Sequence, residues 1–410
     1  MHHFLGISLC AGVTPRHLVA YLFVALISSG YAGLLAMLEP GLLQELQIPY
    51  EDQGPITGNL RVLQEIIFIM MLGLYGALAD RIGRRLIYAF GLSLTALGYI
   101  LYPFAESLSQ LVLFRVIIAF GGAAVIGMMV TVIADYSEDI SRGKANGLQG
   151  LVATFGAFIP PILGFMPSQF VAQGFSQSQA LQLTFAIAGA LGTIGALIAW
   201  FGLSPSAGTQ LNSKKEKLLA SMKIGLAEAR DPRILLSYGA AFISRGDLAV
   251  TGAFMGLWLV QWAKIEMGMD TSQAMSEIAA PRIFATVGGA FIGALLMGYI
   301  SDRVDRVMAV SMASGLAAFI YLSVYFVSDP TAPWVLILLF VMGIAEIAAF
   351  VSSQALVGRY ASEQRRGAVF GFFGVAGAFG ILVGSGGGGW LFKHIGPSAP
   401  FVLFGMLNML

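Results

Sequence analysis

Eight ionisable side chains stand inside long apolar runs of this 410-residue sequence: Glu39, Arg61, Glu65, Arg115, Arg245, Asp247, Arg282 and Glu346. On insertion scales a charge at a helix centre costs about 2.5–3.5 kcal/mol, so each one asks for a partner or a task. The chemistry open to them is narrow. A carboxylate held away from water can bind and release a proton near neutral pH. An arginine keeps its charge and can grip a carboxylate or another anionic group through its fork of N–H donors. Glu346, in "VMGIAEIAAF", has no ionisable neighbour in sequence. It is the leading candidate for a proton carrier, and Glu39 paired with Arg115 is the second.

Plainer readings stand beside these. Arg61 and Glu65 are four apart, one helical turn, and can neutralise each other. Arg282 can snorkel to water from the outer end of its run. Glu39 precedes Pro40 near an outer helix end, where solvent can reach it. By residue counting, Arg245, Asp247 and Glu346 lie near mid-depth and the other five lie toward the outer side. Four buried cations against four buried anions fit a zwitterionic or amphipathic organic solute better than a strongly charged one. Tyr31, Phe254 and Trp258 can add an aromatic wall, although Trp258 and Trp262 read more naturally as anchors at the outer interface.

The elements that must carry these residues follow from composition. Hydrophobic residues make up 57%, charged residues 11%, and mean hydropathy is +0.80. A soluble chain carries about 25% charged residues, so this one cannot cover a water-facing surface. An all-α membrane protein is predicted, because lipid demands that backbone polar groups be satisfied internally and the runs lack strand-like alternation. A span needs about 20 apolar residues. That rule places twelve, near 17–39, 56–79, 86–104, 110–134, 145–167, 180–203, 234–262, 278–300, 308–327, 333–357, 367–391 and 399–410. The last reaches about 18 Å against a ~30 Å core, so the twelfth helix is expected to be incomplete at Leu410.

Of the 23 Lys and Arg, seventeen fall in one set of loops and two, Lys264 and Lys393, in the other. This positive-inside imbalance puts both termini in the cytoplasm, as for an inner-membrane protein. The run before Pro15 is short and lacks a basic start, so a cleaved signal peptide is not expected. Cys10 is the only cysteine, which excludes an internal disulfide or a thiolate metal site. There is no nucleotide-binding loop, metal cluster or nucleophile–base pairing, so neither an enzyme nor a cofactor is expected. No basic arm suggests nucleic acid.

The longest polar stretch, 204–233, contains "KKEKLLASMKIGLAEAR". Leu218, Leu219, Met222 and Leu226 share one helical face there, predicting an amphipathic helix on the cytoplasmic surface closed by Asp231-Pro232. It divides the chain into six-helix bundles at 1–203 and 234–410. The halves repeat. Asp80 and Arg81 recur as Asp302 and Arg303, and Tyr136, Arg142 and Gly143 recur as Tyr360, Arg366 and Gly367, at nearly one offset. Parallel six-helix repeats are a transporter signature.

The turn "GALADRIGRR", with Gly76, Asp80, Arg81, Gly83, Arg84 and Arg85, resembles the signature of the major facilitator superfamily at every defining position. Its second copy departs from the pattern, with Asp305 in place of the glycine. Arg115 in "LFRVIIAFGGA" is similar to the family's fourth-span arginine motif, with Ala119 for a glycine. Gly147, Gly156, Pro161 and Gly164 fall at the spacing of the drug–proton antiporter branch, with Pro160 and Phe165 replacing two glycines. The resemblance implies two pseudo-symmetric bundles, a central cavity lined by spans one, four, seven and ten, and a protein that works as a monomer. Spans one, four, seven and ten carry Glu39, Arg115, Arg245 with Asp247, and Glu346.

Physically, Gly76 and Gly83 would let helix ends approach and the chain reverse, and Asp80 would accept bonds from nearby arginines. Together with Asp302 and Arg303 they form a candidate conformational latch; the simpler alternative is that the arginines only set topology. Glycines in span five, and at 371, 374, 377, 380, 384 and 386–389, suit close helix packing or a hinge. The expected function is secondary active transport of a small organic solute across the lipid bilayer by alternating access, coupled to protons and directed outward. The rival within transport is proton- or sodium-driven uptake. The rival of another class is a non-transporting membrane sensor or scaffold.

Overall fold

The structure, a computed structural model, describes residues 2–205, 218–301, 303–362 and 365–410. Asp302 and the linker lysines 214, 215 and 217 lie outside the described residues, as do the side chains of Leu218 and Leu219. Among the described residues eleven helices are long and apolar enough to cross a membrane. They are Pro15–Glu45, Tyr50–Ile82, Arg84–Phe104, Leu108–Tyr136, Asp139–Ala172, Gln177–Gly202, Pro232–Met267, Thr271–Ser301, Arg306–Phe326, Pro333–Tyr360 and Arg366–His394, here spans 1 to 11. A shorter apolar helix, Ala399–Asn408, follows as span 12.

Two units form, and their limits follow packing rather than chain order. The first holds residues 1–47, 63–213 and 271–276; the second holds 48–62, 214–270 and 277–410. In the first unit, spans 3 and 4 approach at small residues: a side chain at Gly91 would strike Ala124 at 2.7 Å. In the second, spans 8 and 10 cross so closely that side chains at Gly289 and Gly343 would collide with the backbone carbonyls of Phe340 and Thr286. Without a hydrophobic drive between helices in lipid, such dispersion contacts hold the bundle together.

Residues 2–13 add an element that the apolar pattern does not announce. His2–Phe4 and Ile7–Leu9 form an antiparallel hairpin through a turn at Leu5 (φ 51) and Gly6 (φ 74). Ile7, Leu9 and Val13 are buried. Glu138 N–H donates to Ser8 O at 3.0 Å, Cys10 N–H to Tyr136 O at 3.0 Å, and Ser8 N–H to Ser141 Oγ at 3.0 Å. Ser204 Oγ closes the set by donating to Gly12 O at 3.3 Å. The strap thus ties the ends of spans 4, 5 and 6.

The linker helix is present as Leu218–Ala227; of the expected apolar face, Leu218 and Leu219 have side chains outside the described residues, Met222 is half-buried and Leu226 is exposed. Gly225 lies against Ala368 and Phe372, and Tyr238 donates to its carbonyl at 2.8 Å, whereas Leu226 stays 57% exposed. The glycine wins because only a bare backbone fits against span 11. Asp231 caps span 7 by accepting from Arg233 N–H, with Pro232 in the first turn. In span 5, Gly156 packs on Leu26 and Ser29, Gly164 on Met37, and Pro161 is buried; Gly147 has nothing within 4 Å and packs on no neighbour.

Candidate functional site

Among the described residues, each unit buries a cluster built on acidic side chains. In the first, Glu39 stands one residue before Pro40, which span 1 accommodates without ending. Its Oε2 accepts from Arg115 Nη1 of span 4 and, at 2.8 Å, from the Tyr102 hydroxyl at the end of span 3. The expectation of a solvated Glu39 is corrected: it is 2% exposed, as is Arg115. Depth in the helix bundle, not nearness to a helix end, decides its access to water. An arginine and a carboxylate at contact neutralise each other where neither is hydrated. Arg115 Nε is left without a hydrogen-bond partner among the described residues.

In the second unit the carboxylates meet uncharged donors. Glu346 on span 10 does have close partners: the hydroxyls of Thr251 on span 7 and Tyr321 on span 9 both converge on its Oε1. These hydroxyls lie 2.9 Å apart. Thr251 opens a π-helical turn, Thr251–Met255, inside span 7. Such one-residue excesses recur at functional sites because they re-aim a side chain. Asp247 lies one helical turn before Thr251 and has no exposure. The Asn408 amide of span 12 donates to both its oxygens, at 3.0 and 2.9 Å. Arg245, two residues earlier, turns elsewhere: its guanidinium sits over the Phe350 ring at 5.1 Å, and its stem lies against Gly377.

The remaining charges divide. Arg282 does not reach for water; it is 8% exposed and donates to Pro330 O at 2.6 Å and Ile278 O at 2.9 Å. A loop carbonyl, Pro330, and one from the preceding turn of its own span, Ile278, supply the solvation that snorkelling would have sought. Arg61 and Glu65 are engaged in interactions of their own, outside the bonds just described. Trp258 is not an interface anchor: it is 6% exposed and packs on Phe401, ring centroids 6.1 Å apart. Tyr31 and Phe254 are also buried, Tyr31 donating to Ala188 O at 2.6 Å.

At the "GALADRIGRR" turn, Gly83 takes φ 97, a left-handed conformation that glycine adopts without strain. Arg84 then bonds Asp80 at 2.7 Å and, through Nε, Asp135 of span 4 at 2.9 Å. Gly76 makes no close approach, since a side chain there would meet nothing within 4 Å. Arg81 is exposed and Arg85 lies over Trp200 at 5.8 Å. In the second copy Arg303 lies over the Tyr299 ring.

Sequence reasoning passed over Tyr102, Thr251, Tyr321, Asn408 and Asp135. The first three are ordinary in apolar helices and give no signal. Asn408 was findable, as an amide in the otherwise apolar "FVLFGMLNML".

Comparison with known proteins agrees with this architecture. A family model described as Major Facilitator Superfamily matches residues 19–296 and 283–410. Magnetosome protein MamH of Paramagnetospirillum magneticum is 26% identical over 96% of this chain and 90% of its own length. Magnetosome protein MamZ of the same organism is 26% identical over 92% of this chain but 59% of its own, so the chain spans less than two thirds of that relative. Quinolone resistance protein NorA of Staphylococcus aureus is 27% identical over 70% of this chain and 66% of its own. Among solved structures, a mutant of the nucleoside transporter NupG superimposes with a TM-score of 0.76 at 16% identity, covering 96% of this chain and 97% of NupG, a likeness of fold. The chain is an integral membrane protein of the Major Facilitator Superfamily, a transporter rather than an enzyme.

Proposed function

We propose that this protein exports a small organic solute in exchange for protons by alternating access, as a monomer, and that Asp247 and Glu346 carry the coupling protons. One observation supports this above the rest. Both carboxylates are buried, and hydroxyl and amide groups bond them, a setting in which taking up a proton removes a charge that the interior solvates poorly. The Glu39–Arg115 pair is the fixed ionic tie of the first unit, because uptake of a proton there would strand the arginine. The glycine–proline pattern of span 5 and the partial similarity to NorA favour efflux over uptake. The loop charge imbalance favours cytoplasmic termini in the inner membrane. Arg84 with Asp80 and Asp135 is the candidate latch of the transport cycle.

A second reading concerns place rather than chemistry. The match to MamH runs nearly end to end, which favours a magnetosome membrane as the site of action; microscopy of a tagged chain tests it.

The transport reading is tested in two steps. A thermal-shift screen of purified protein at two pH values, with a zwitterionic fluoroquinolone among the probes, identifies a ligand. Flux of that ligand into proteoliposomes under an imposed pH gradient follows. Full pH-driven flux in both Glu346→Gln and Asp247→Asn would end the proton-coupling assignment.

A further inference from the structure

The amide of Asn408 is held in one orientation by three acceptors. Its Nδ2 donates to Asp247 Oδ1 at 3.0 Å, to Asp247 Oδ2 at 2.9 Å, and to Phe404 O, one turn earlier in its own helix, at 3.0 Å. Its Oδ1 is buried with no hydrogen-bond partner among the described residues. A buried acceptor left bare costs about 1–3 kcal/mol and calls for an explanation. While Asp247 is ionised, turning the amide over would place a carbonyl against three acceptors, and in either state of the acid it would set that carbonyl against Phe404 O, so the donor side stays toward Asp247.

The fixed donor makes the contact sensitive to the state of the acid. An ionised Asp247 presents two acceptors to Nδ2, and both are used. A protonated Asp247 keeps one acceptor and gains an O–H, which cannot donate to an N–H. Proton uptake therefore removes part of the bond between spans 7 and 12, while the rest of the Asn408 contacts are unchanged.

The other ionisable groups around Asp247 belong to the same unit. Arg245 on its own helix is engaged over Phe350, Glu346 on span 10 bonds Thr251 one turn after Asp247, and Tyr321 on span 9 bonds Glu346. Span 12 presents Asn408, and span 11 packs glycines, Gly380 and Gly384, against span 7.

We propose that Asn408 is a positioning residue through which span 12 reads the proton occupancy of Asp247. Span 12 is fastened to span 7 while Asp247 is ionised and released in part when the acid is protonated. This rests on the reading of Asp247 as a proton carrier, and it adds the element that responds.

Hydrogen–deuterium exchange of residues 399–410 in the full chain, in phosphatidylcholine nanodiscs, tests it without any solute. Exchange is measured at pH 8 and pH 5.5 and corrected for the intrinsic pH dependence of amide exchange. Protection of span 12 in the wild type falls several-fold at the lower pH. In Asp247→Asn, nearly isosteric and always neutral, span 12 exchanges at the faster rate at both pH values. Asn408→Leu likewise loses the pH dependence, and if that variant does not fold, Asp247→Asn alone decides. Equal wild-type protection at both pH values, or a pH dependence that survives in Asp247→Asn, overturns the proposal. The part of Asp247 in coupling fails separately: full pH-driven flux in Asp247→Asn removes Asp247 as a proton carrier, whatever span 12 does, and leaves Glu346 to its own test.

Discussion

The two buried clusters solve one problem in opposite ways. Both place a glutamate beneath a tyrosine hydroxyl, on spans 1 and 3 in the first unit and on spans 10 and 9 in the second. The first adds Arg115 and becomes an ion pair. The second adds Thr251 and, a turn away, the Asp247–Asn408 contact. An ion pair in a dry interior holds its charges permanently, since changing either one strands the other. A carboxylate among hydroxyls and an amide can change its charge and leave no ion behind. Repetition of the fold thus yields one cluster closed by an ion pair and one closed by uncharged donors.

That contrast can be broken or sharpened by four substitutions, ordered by their expected effect on stability. Arg115→Leu strands Glu39 and should destabilise by about 3–5 kcal/mol, read as a fall in Tm in detergent. Glu39→Leu combined with Arg115→Leu should recover much of that loss; no recovery would mean that the pair is more than mutual neutralisation. Tyr102→Phe removes a hydrogen bond to a charged group and should cost about 1.5–3 kcal/mol, while the pH profile of transport stays in place because Arg115 still fixes Glu39. Glu346→Gln keeps an acceptor for Thr251 and Tyr321, so Tm should change by the equivalent of about 1 kcal/mol or less. Its pH-driven flux should nevertheless fall about a hundredfold, the scale of losing a proton-transfer group. If Glu346→Gln unfolds the protein and Arg115→Leu does not, the roles of the clusters are reversed.

The smallest effect comes from a wet carboxylate that serves as the control. Asp329, in the loop before span 10, accepts from the Thr331 hydroxyl at 2.6 Å and its N–H at 2.7 Å. These bonds, the hydroxyl's foremost, hold its carboxyl below the usual range. A depressed carboxyl stabilises the fold above its unfolded pKa, and the benefit disappears as pH falls through the folded value. Asp329→Asn should therefore lower Tm slightly at pH 7, by a difference that shrinks as pH falls below the ordinary carboxylate range. Tm measured across that range checks it.

Much of this was legible in the sequence, for identifiable reasons. Apolar runs and loop charges give spans because lipid punishes exceptions so heavily, and the doubled Asp-Arg turn gives the repeat. Every buried charge in the two clusters was visible as a charge. Their partners were not: Glu39 and Arg115 are 76 residues apart, and no helical spacing joins them. Tyr321 and Thr251 carry no unusual signal until Glu346 is placed between them. Trp258 misled because an aromatic near a span end is read as an anchor, and only the packing of Phe401 reveals that it faces inward. The hairpin escaped because strands of three residues are too short for alternation to register.

That hairpin also sets a timetable. Residues 2–13 leave the ribosome ahead of their partners Tyr136, Glu138, Ser141 and Ser204, which come more than a hundred residues later. The hairpin can fasten to Tyr136, Glu138 and Ser141 only once span 4 has been made, and Gly12 can meet Ser204 only after span 6. The strap is thus closed in two stages by segments made after it, so bulk added beside residues 2–13 would obstruct a stitch on which the ends of spans 4, 5 and 6 depend.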